Sequence, residues 1–306
     1  MQRRTFLRTV TGAGAAVLLA ACGRGGAGSS APAPSATSAP PTTDPVALVA
    51  PDAERSLSMI SASFERLTGQ AQPFAFGLVG ADNEPVTGAE ARVWVVPANG
   101  GQAQGPFDAT FNDVPNQPLG VYVATVDVGV PGPTSFVAVT EDGRAGSDAV
   151  QVATPETSQL PAPGQRAVSV RTPTAEDQMD FETLCTADPP CGNHAVSLDR
   201  ALAEGRPVML QFATPAFCET AVCGPSVSVL DEVRTSRDWG DVAFVHVEVY
   251  TDAGQTLAPQ VEEWELPSEP WLFAINSDGV ITARADGPLL TLPEQVSAMA
   301  EQLRPS

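Results

Sequence analysis

The sequence predicts two folded domains of different class, an all-β domain followed by an α/β domain, behind an N-terminal tether. Two stretches rich in proline and small or hydroxylated residues, 23–45 and 156–180, bound the first of these domains. Between them, residues 46–155 contain short β-branched runs divided by turn sequences, whereas helix-like and strand-like runs alternate after residue 181. A chain of 306 residues has room for about two domains of ordinary size.

The N-terminus has the pattern of an export signal. Arg3 and Arg4 precede an apolar run, 10–21, that is shorter than the ~20 residues of a membrane-spanning helix. The run ends in the sequence LAAC at Cys22, which resembles the lipobox of bacterial lipoproteins. This resemblance implies a twin-arginine signal peptide at 1–21, a lipid on Cys22, and a tether holding the protein on the extracytoplasmic face of the bacterial cell membrane. The alternative is an ordinary anchor that keeps its apolar segment.

Charge and composition narrow the set of partners. The chain has 36 acidic and 16 basic residues, which gives a net charge of −20. A surface of this sign repels nucleic acid and anionic lipid headgroups, so we expect no nucleic-acid partner and membrane contact through the Cys22 lipid alone. Residues 22–45 contain too few apolar side chains to form a core, so we expect a disordered, lipidated linker there.

Residues 46–155 are predicted to form a β-sandwich. Five runs fit strands: PFAFGLVG, ARVWVVP, GVYVATVDV, TSFVAVTED and DAVQVAT. Turn sequences at 82–85, 99–101 and 141–143 separate them. The order of strands and turns resembles bacterial immunoglobulin-like modules, which implies a spacer or a partner-docking role for this part of the chain.

The C-terminal part, 181–306, is predicted to alternate helices and strands. The elements are a helix at 195–205, a strand at 207–214, a helix at 225–237, a strand at 241–250, a helix at 257–266, a hairpin at 270–287 and a helix at 291–303. This order resembles the thioredoxin fold over about 185–306. Two cysteines follow the first strand, and Pro270 precedes the hairpin, where that family has a cis-proline facing its active-site cysteines. The resemblance implies a role for Pro270 in binding an extended substrate segment.

The cysteine loop FCETAVCGPS carries the candidate chemistry. Residues five apart in a regular helix have Cα atoms roughly 8–9 Å apart, whereas a disulfide needs less than about 7 Å. Pro225 is best tolerated in a first helical turn, so the helix should begin near Gly224 and leave Cys218 on a loop that folds back to Cys223. Three interpretations stay open for this pair: reversible thiol–disulfide exchange, a redox-silent disulfide, and a copper site.

Two histidines and two further cysteines complete the set of candidate ligands. A copper site in the manner of Sco-like proteins would use Cys218, Cys223 and His246, although a histidine on a strand is more often a core residue. Cys185 and Cys191 flank a Pro-Pro turn, so in an oxidising compartment we expect a structural disulfide between them; a metal site with His194 and a second redox pair are the alternatives.

The residues and the resemblance together predict a membrane-tethered thiol–disulfide oxidoreductase that acts on the cysteines of exported proteins. Cys218, Cys223 and Pro270 are the predicted catalytic residues, and no cofactor is expected. The alternatives are a copper-binding or metallochaperone lipoprotein and a redox-silent interaction protein.

Overall fold

The structure is a computed structural model that describes residues 44–114, 120–218 and 222–304. The predicted signal peptide, the lipidation site Cys22 and most of the linker lie outside these residues. Among the described residues, no helix is both long and apolar enough to cross a membrane.

The N-terminal part is one eight-stranded sheet. After the short helix α1 (Pro45–Val49), its strands are β1 (Ser58–Ser61), β2 (Arg66–Leu67), β3 (Gly69–Val79), β4 (Ala91–Pro97), β5 (Gln104–Asp113), β6 (Gly120–Val128), β7 (Gly132–Thr140) and β8 (Ala145–Ala153). Their order in the sheet is β1-β3-β6-β5-β4-β7-β8-β2. All pairs are antiparallel except β2 with β8.

The C-terminal part contains a four-stranded sheet. Its elements are α2 (Leu198–Ala203), β9 (Val208–Phe212), α3 (Cys223–Ser236), β10 (Ala243–Val247), α4 (Pro259–Glu263), β11 (Trp271–Ile275), β12 (Ile281–Asp286), a 3-10 helix (Gly287–Thr291) and α5 (Pro293–Glu301). The strand order is β10-β9-β11-β12. β9 and β10 are parallel, and β11 is antiparallel to both of its neighbours.

The predicted fold class is wrong. The chain is mostly β and 17% helical, so neither the immunoglobulin-like sandwich nor the thioredoxin-like α/β domain describes it. The N-terminal strands form one hydrogen-bonded sheet whose strands pack on one another around stacked aromatic rings, such as Phe74 against Phe136 at 4.2 Å between centroids. A single curled sheet therefore buries its own face without a second sheet. In the C-terminal part, α2 and α4 have six and five residues, about half the length that the apolar spacing predicted.

The segment predicted as a second linker, 156–180, is packed along the C-terminal sheet. It has no helix or strand, yet Leu160, Ala162 and Val170 are buried. Arg284 of β12 donates hydrogen bonds to the carbonyls of Leu160 and Pro161. The described residues from 44 to 304 belong to one compact unit.

Candidate functional site

The Cys218–Cys223 pair forms a disulfide at the start of α3. The two Cα atoms are 6.2 Å apart. Cys223 is the first residue of the helix, and Cys218 ends the turn that follows β9, with its backbone N–H donating to the Thr214 carbonyl at 3.1 Å. The proline in the first turn therefore sets the helix start where the sequence predicted it.

The two sulfurs of the disulfide differ in accessibility. Cys223 is fully buried, whereas Cys218 is half-buried and follows Phe217, an exposed aromatic residue. Of this pair, Cys218 is therefore the more accessible to an approaching thiol. Cys223 lies at the positive end of the 14-residue α3, a position that stabilises a thiolate when the disulfide opens.

The carboxylate of Glu269 lies close to the disulfide. A carboxylate oxygen of Glu269 lies within 4.8 Å of both sulfurs. Its Oε2 atom accepts a hydrogen bond from the Thr214 backbone N–H at 2.6 Å. Burial raises the pKa of this carboxyl from its ordinary value of 4.5 to about 7. The peptide bond between Glu269 and Pro270 is cis, as the resemblance to the thioredoxin family implied. A group that titrates near neutrality is thus held beside the two cysteines.

A buried polar chain fixes the first turn of α3. The Gln211 side-chain amide donates to Ser226 Oγ at 3.1 Å, and Ser226 Oγ donates to the Cys223 carbonyl at 2.8 Å. Both side chains are fully buried. Neither one ionises at neutral pH, so Glu269 is the titratable group that this arrangement brings to the disulfide.

A cleft runs beside the cysteine loop. It has a volume of about 460 Å³, and its lining includes Asp188, Pro215, Gly224, Pro225 and Glu232. Pro215 belongs to the turn before Cys218, and Gly224 follows Cys223. The cleft thus lies along residues that flank the two cysteines in the sequence, and it has room for an extended segment there.

The other two cysteines do not form the predicted structural disulfide. Cys185 and Cys191 are free, with their Sγ atoms 3.5 Å apart. The Nε2 atom of His194 and the Nδ1 atom of His246 each lie 3.4 Å from Cys191 Sγ. The loop around the Pro-Pro turn therefore directs both thiols toward two imidazole rings instead of into a bridge.

His246 belongs to this second cluster, so the predicted copper triad is not assembled. The ligand atoms of Cys185, Cys191, His194 and His246 all lie within 4.8 Å of one another, and those of Cys218 and Cys223 are grouped with a carboxylate instead. Burial lowers the pKa of His194, which favours its neutral, ligating form. The C-x5-C-x2-H spacing and the strand histidine were separate features of the sequence, and nothing in the local sequence connected them.

The raised pKa of Glu269 was not predicted from the sequence. The raised pKa follows from burial, which the residue's own neighbours in the sequence do not show.

No family model matches the chain, and no curated protein matches it. Among solved structures, the adhesin InvE of Yersinia pseudotuberculosis is similar over 31% of this chain and 26% of its own, at 19% identity and a TM-score of 0.21. Domains 4 and 5 of the S-layer protein SbsC match over 32% of this chain and 45% of theirs, at 14% identity and a TM-score of 0.20. The ZirS C-terminal domain matches over 46% and 97%, at 11% identity and a TM-score of 0.19. Similarities this weak carry no argument about the present chain.

Glu269→Gln should flatten the pH dependence of stability. The folded-state pKa of about 7 lies above the ordinary 4.5, so the folded protein binds this proton more tightly than the unfolded chain does. The resulting stabilisation is present below about pH 4.5 and is lost as the pH rises through about 7. Urea unfolding of the disulfide-intact protein at pH 4.5, 6 and 8 should show the unfolding free energy of the wild type falling more steeply than that of the variant. Parallel pH profiles would contradict this assignment.

Proposed function

We propose that the protein is a lipid-tethered, extracytoplasmic thiol–disulfide oxidoreductase that acts on cysteines of exported proteins. The observation that carries the proposal is the pairing of a half-buried and a buried cysteine in one disulfide, with a carboxyl group of pKa about 7 beside both sulfurs. Enzymes place a titratable group of such pKa where a proton must move at neutral pH.

The exchange begins at Cys218, written here for oxidation of a partner dithiol. A partner thiolate attacks Cys218 Sγ, the Cys218–Cys223 bond breaks, and Cys223 leaves as a thiolate. The second partner thiolate then attacks the partner sulfur of the mixed disulfide and releases Cys218. The partner gains one disulfide and loses two protons, and the two cysteines gain two electrons and those two protons. Reduction of a partner disulfide follows the same steps in reverse.

Glu269 serves both directions of this exchange. As the neutral acid it gives a proton to the departing Cys223 thiolate, and as the carboxylate it takes a proton from the Cys223 thiol when that thiol attacks. Its pKa of about 7 keeps both forms populated near neutral pH. Cys223 is buried away from bulk water, so a carboxyl nearby supplies the proton that solvent does not.

The setting of the site fits exported substrates. Disulfides persist outside the cytoplasm, and the lipid on Cys22 would hold the protein at the membrane surface where exported chains emerge. The cleft beside the loop, with Asp188 and Glu232 in its lining, offers an extended segment a place along Pro215 and Gly224. Its acidic lining favours segments that carry basic side chains.

Oxidation of a reduced dithiol peptide by the purified chain tests the proposal. The wild type, with its disulfide formed, should oxidise one equivalent of peptide, as measured by mass spectrometry of alkylated thiols. With the Cys218→Ser/Cys223→Ser variant, the peptide should be oxidised only at the uncatalysed rate. Equal rates for the two proteins would refute thiol–disulfide exchange at this pair.

A further inference from the structure

We propose that Cys185, Cys191, His194 and His246 bind one zinc ion at a four-coordinate site distinct from the disulfide. Thiolate sulfur and imidazole nitrogen in equal number are a ligand set that Zn²⁺ takes in structural sites. The residues come from two places in the chain: three from the loop before α2 and one from β10.

The distances between the ligand atoms fit a tetrahedral ion. With Zn–S of about 2.3 Å and Zn–N of about 2.0–2.1 Å, neighbouring ligand atoms should lie about 3.3–3.8 Å apart. Cys185 Sγ and Cys191 Sγ are 3.5 Å apart, and each imidazole nitrogen is 3.4 Å from Cys191 Sγ. A disulfide would instead hold the two sulfurs at about 2.05 Å. The cluster therefore has the spacing of a metal site and not of a bridge.

Hydrogen bonding orients the His246 ring for metal binding. The Nε2–H group donates to the Ala213 carbonyl at 2.8 Å, so in the neutral ring Nδ1 carries no proton, and this atom lies 3.4 Å from Cys191 Sγ. This is the usual arrangement of a metal-bound histidine, whose second nitrogen donates to a carbonyl or carboxylate. His194 is 4% exposed, and its Nε2 faces Cys191. Both rings thus present a nitrogen to the same point.

The loop that carries the cysteines is already held in place. The Cys191 backbone N–H donates to Cys185 Sγ at 3.4 Å, a contact that stabilises a thiolate. The Gly192 N–H donates to Asp231 of α3 at 2.8 Å, and His194 forms a β-bridge with Val245 of β10. These contacts bring the ligands together before any ion arrives, which lowers the cost of binding.

A closed set of four protein ligands makes the site structural. Binding replaces the two thiol protons by the ion and releases them to solvent, with no change of oxidation state. The four cysteines outside the signal region lie close together and pack with the apolar side chains of Ala213 and Val227. Zinc would hold Cys185 and Cys191 as bound thiolates, and so would keep them out of exchange with the neighbouring disulfide.

Zinc content of the purified full chain tests the site. Protein prepared with reductant, saturated with Zn²⁺ and then freed of excess metal should hold one zinc per chain by elemental analysis. Cys191→Ser and His246→Ala should reduce this to background. The matched control is Cys218→Ser/Cys223→Ser. It removes the two cysteines of the neighbouring disulfide and should keep the full zinc content.

Cobalt gives a readout that does not depend on the variants folding. Co²⁺ added to the reduced wild type should produce the visible ligand-field and thiolate-to-cobalt absorption of a tetrahedral S₂N₂ site, and Zn²⁺ should displace it. Any of three results would overturn the proposal: no stoichiometric zinc in the reduced wild type, stoichiometric Cu⁺ without zinc, or a mapped Cys185–Cys191 disulfide in protein saturated with Zn²⁺.

Discussion

Cys223→Ser is expected to trap a mixed disulfide with a substrate, whereas Cys218→Ser is expected to trap none. In the reduced Cys223→Ser variant, the half-buried Cys218 attacks a disulfide peptide, and no second thiol is in place to resolve the product. In Cys218→Ser, the remaining thiol is fully buried and does not reach the peptide. Both variants should lose turnover to the uncatalysed background.

Mass spectrometry of the intact protein and of its proteolytic peptides measures this difference. A peptide adduct on Cys218 in most chains of the Cys223→Ser variant is the expected result. Adducts mapped to Cys185 or Cys191 do not count, because those thiols belong to the second cluster. An adduct on Cys223 in the Cys218→Ser variant, at a level equal to that on Cys218, would contradict the assigned roles.

Arg284→Ala should lower the free energy of unfolding by about 3 kcal/mol. The Arg284 guanidinium pairs with Glu65, and the two side chains are 6% and 14% exposed. It also donates to Ser158 Oγ at 3.1 Å and to two backbone carbonyls. Removing the guanidinium leaves the poorly solvated Glu65 carboxylate and several hydrogen-bond acceptors without their donor. It also removes the ion pair between β12 and the segment that leads to β2.

Arg55→Ala is the matched control for this substitution. Arg55 also pairs with a carboxylate, that of Asp44, but the two side chains are 44% and 45% exposed, so the loss of unfolding free energy should be much smaller than for Arg284→Ala. Urea unfolding at one pH, with the Cys218–Cys223 disulfide intact, compares the two variants. Equal losses of unfolding free energy in the two variants would show that burial does not increase the contribution of the Arg284–Glu65 pair to stability.

The sequence predicted individual strands correctly where apolar residues recur with a clear period. The run ARVWVVP coincides with β4 (Ala91–Pro97), and GVYVATVDV coincides with β6 (Gly120–Val128). The start of α3 followed from Pro225. By contrast, β5 (Gln104–Asp113) was missed, since it alternates weakly and contains a Gly-Pro pair that reads as a turn.

The arrangement of those strands in a sheet could not be predicted from the same pattern. Alternation shows that a strand has a buried face but not which strand or sheet covers it, so a single curled sheet was mistaken for a sandwich. The second cluster was not predicted from the sequence, for a similar reason. Its Cys191–His246 contact joins residues 55 positions apart, across a loop whose course depends on the Pro-Pro turn and on Asp231 of α3.

The reduction potential of the Cys218–Cys223 pair tests the central claim most directly. The full chain is equilibrated in glutathione buffers of graded redox poise, and the alkylated thiols of this pair are counted by mass spectrometry. The proposed function predicts a midpoint between about −120 and −270 mV, the range of proteins that exchange disulfides. A midpoint below about −300 mV would mark the pair as a permanent structural disulfide and would contradict the account.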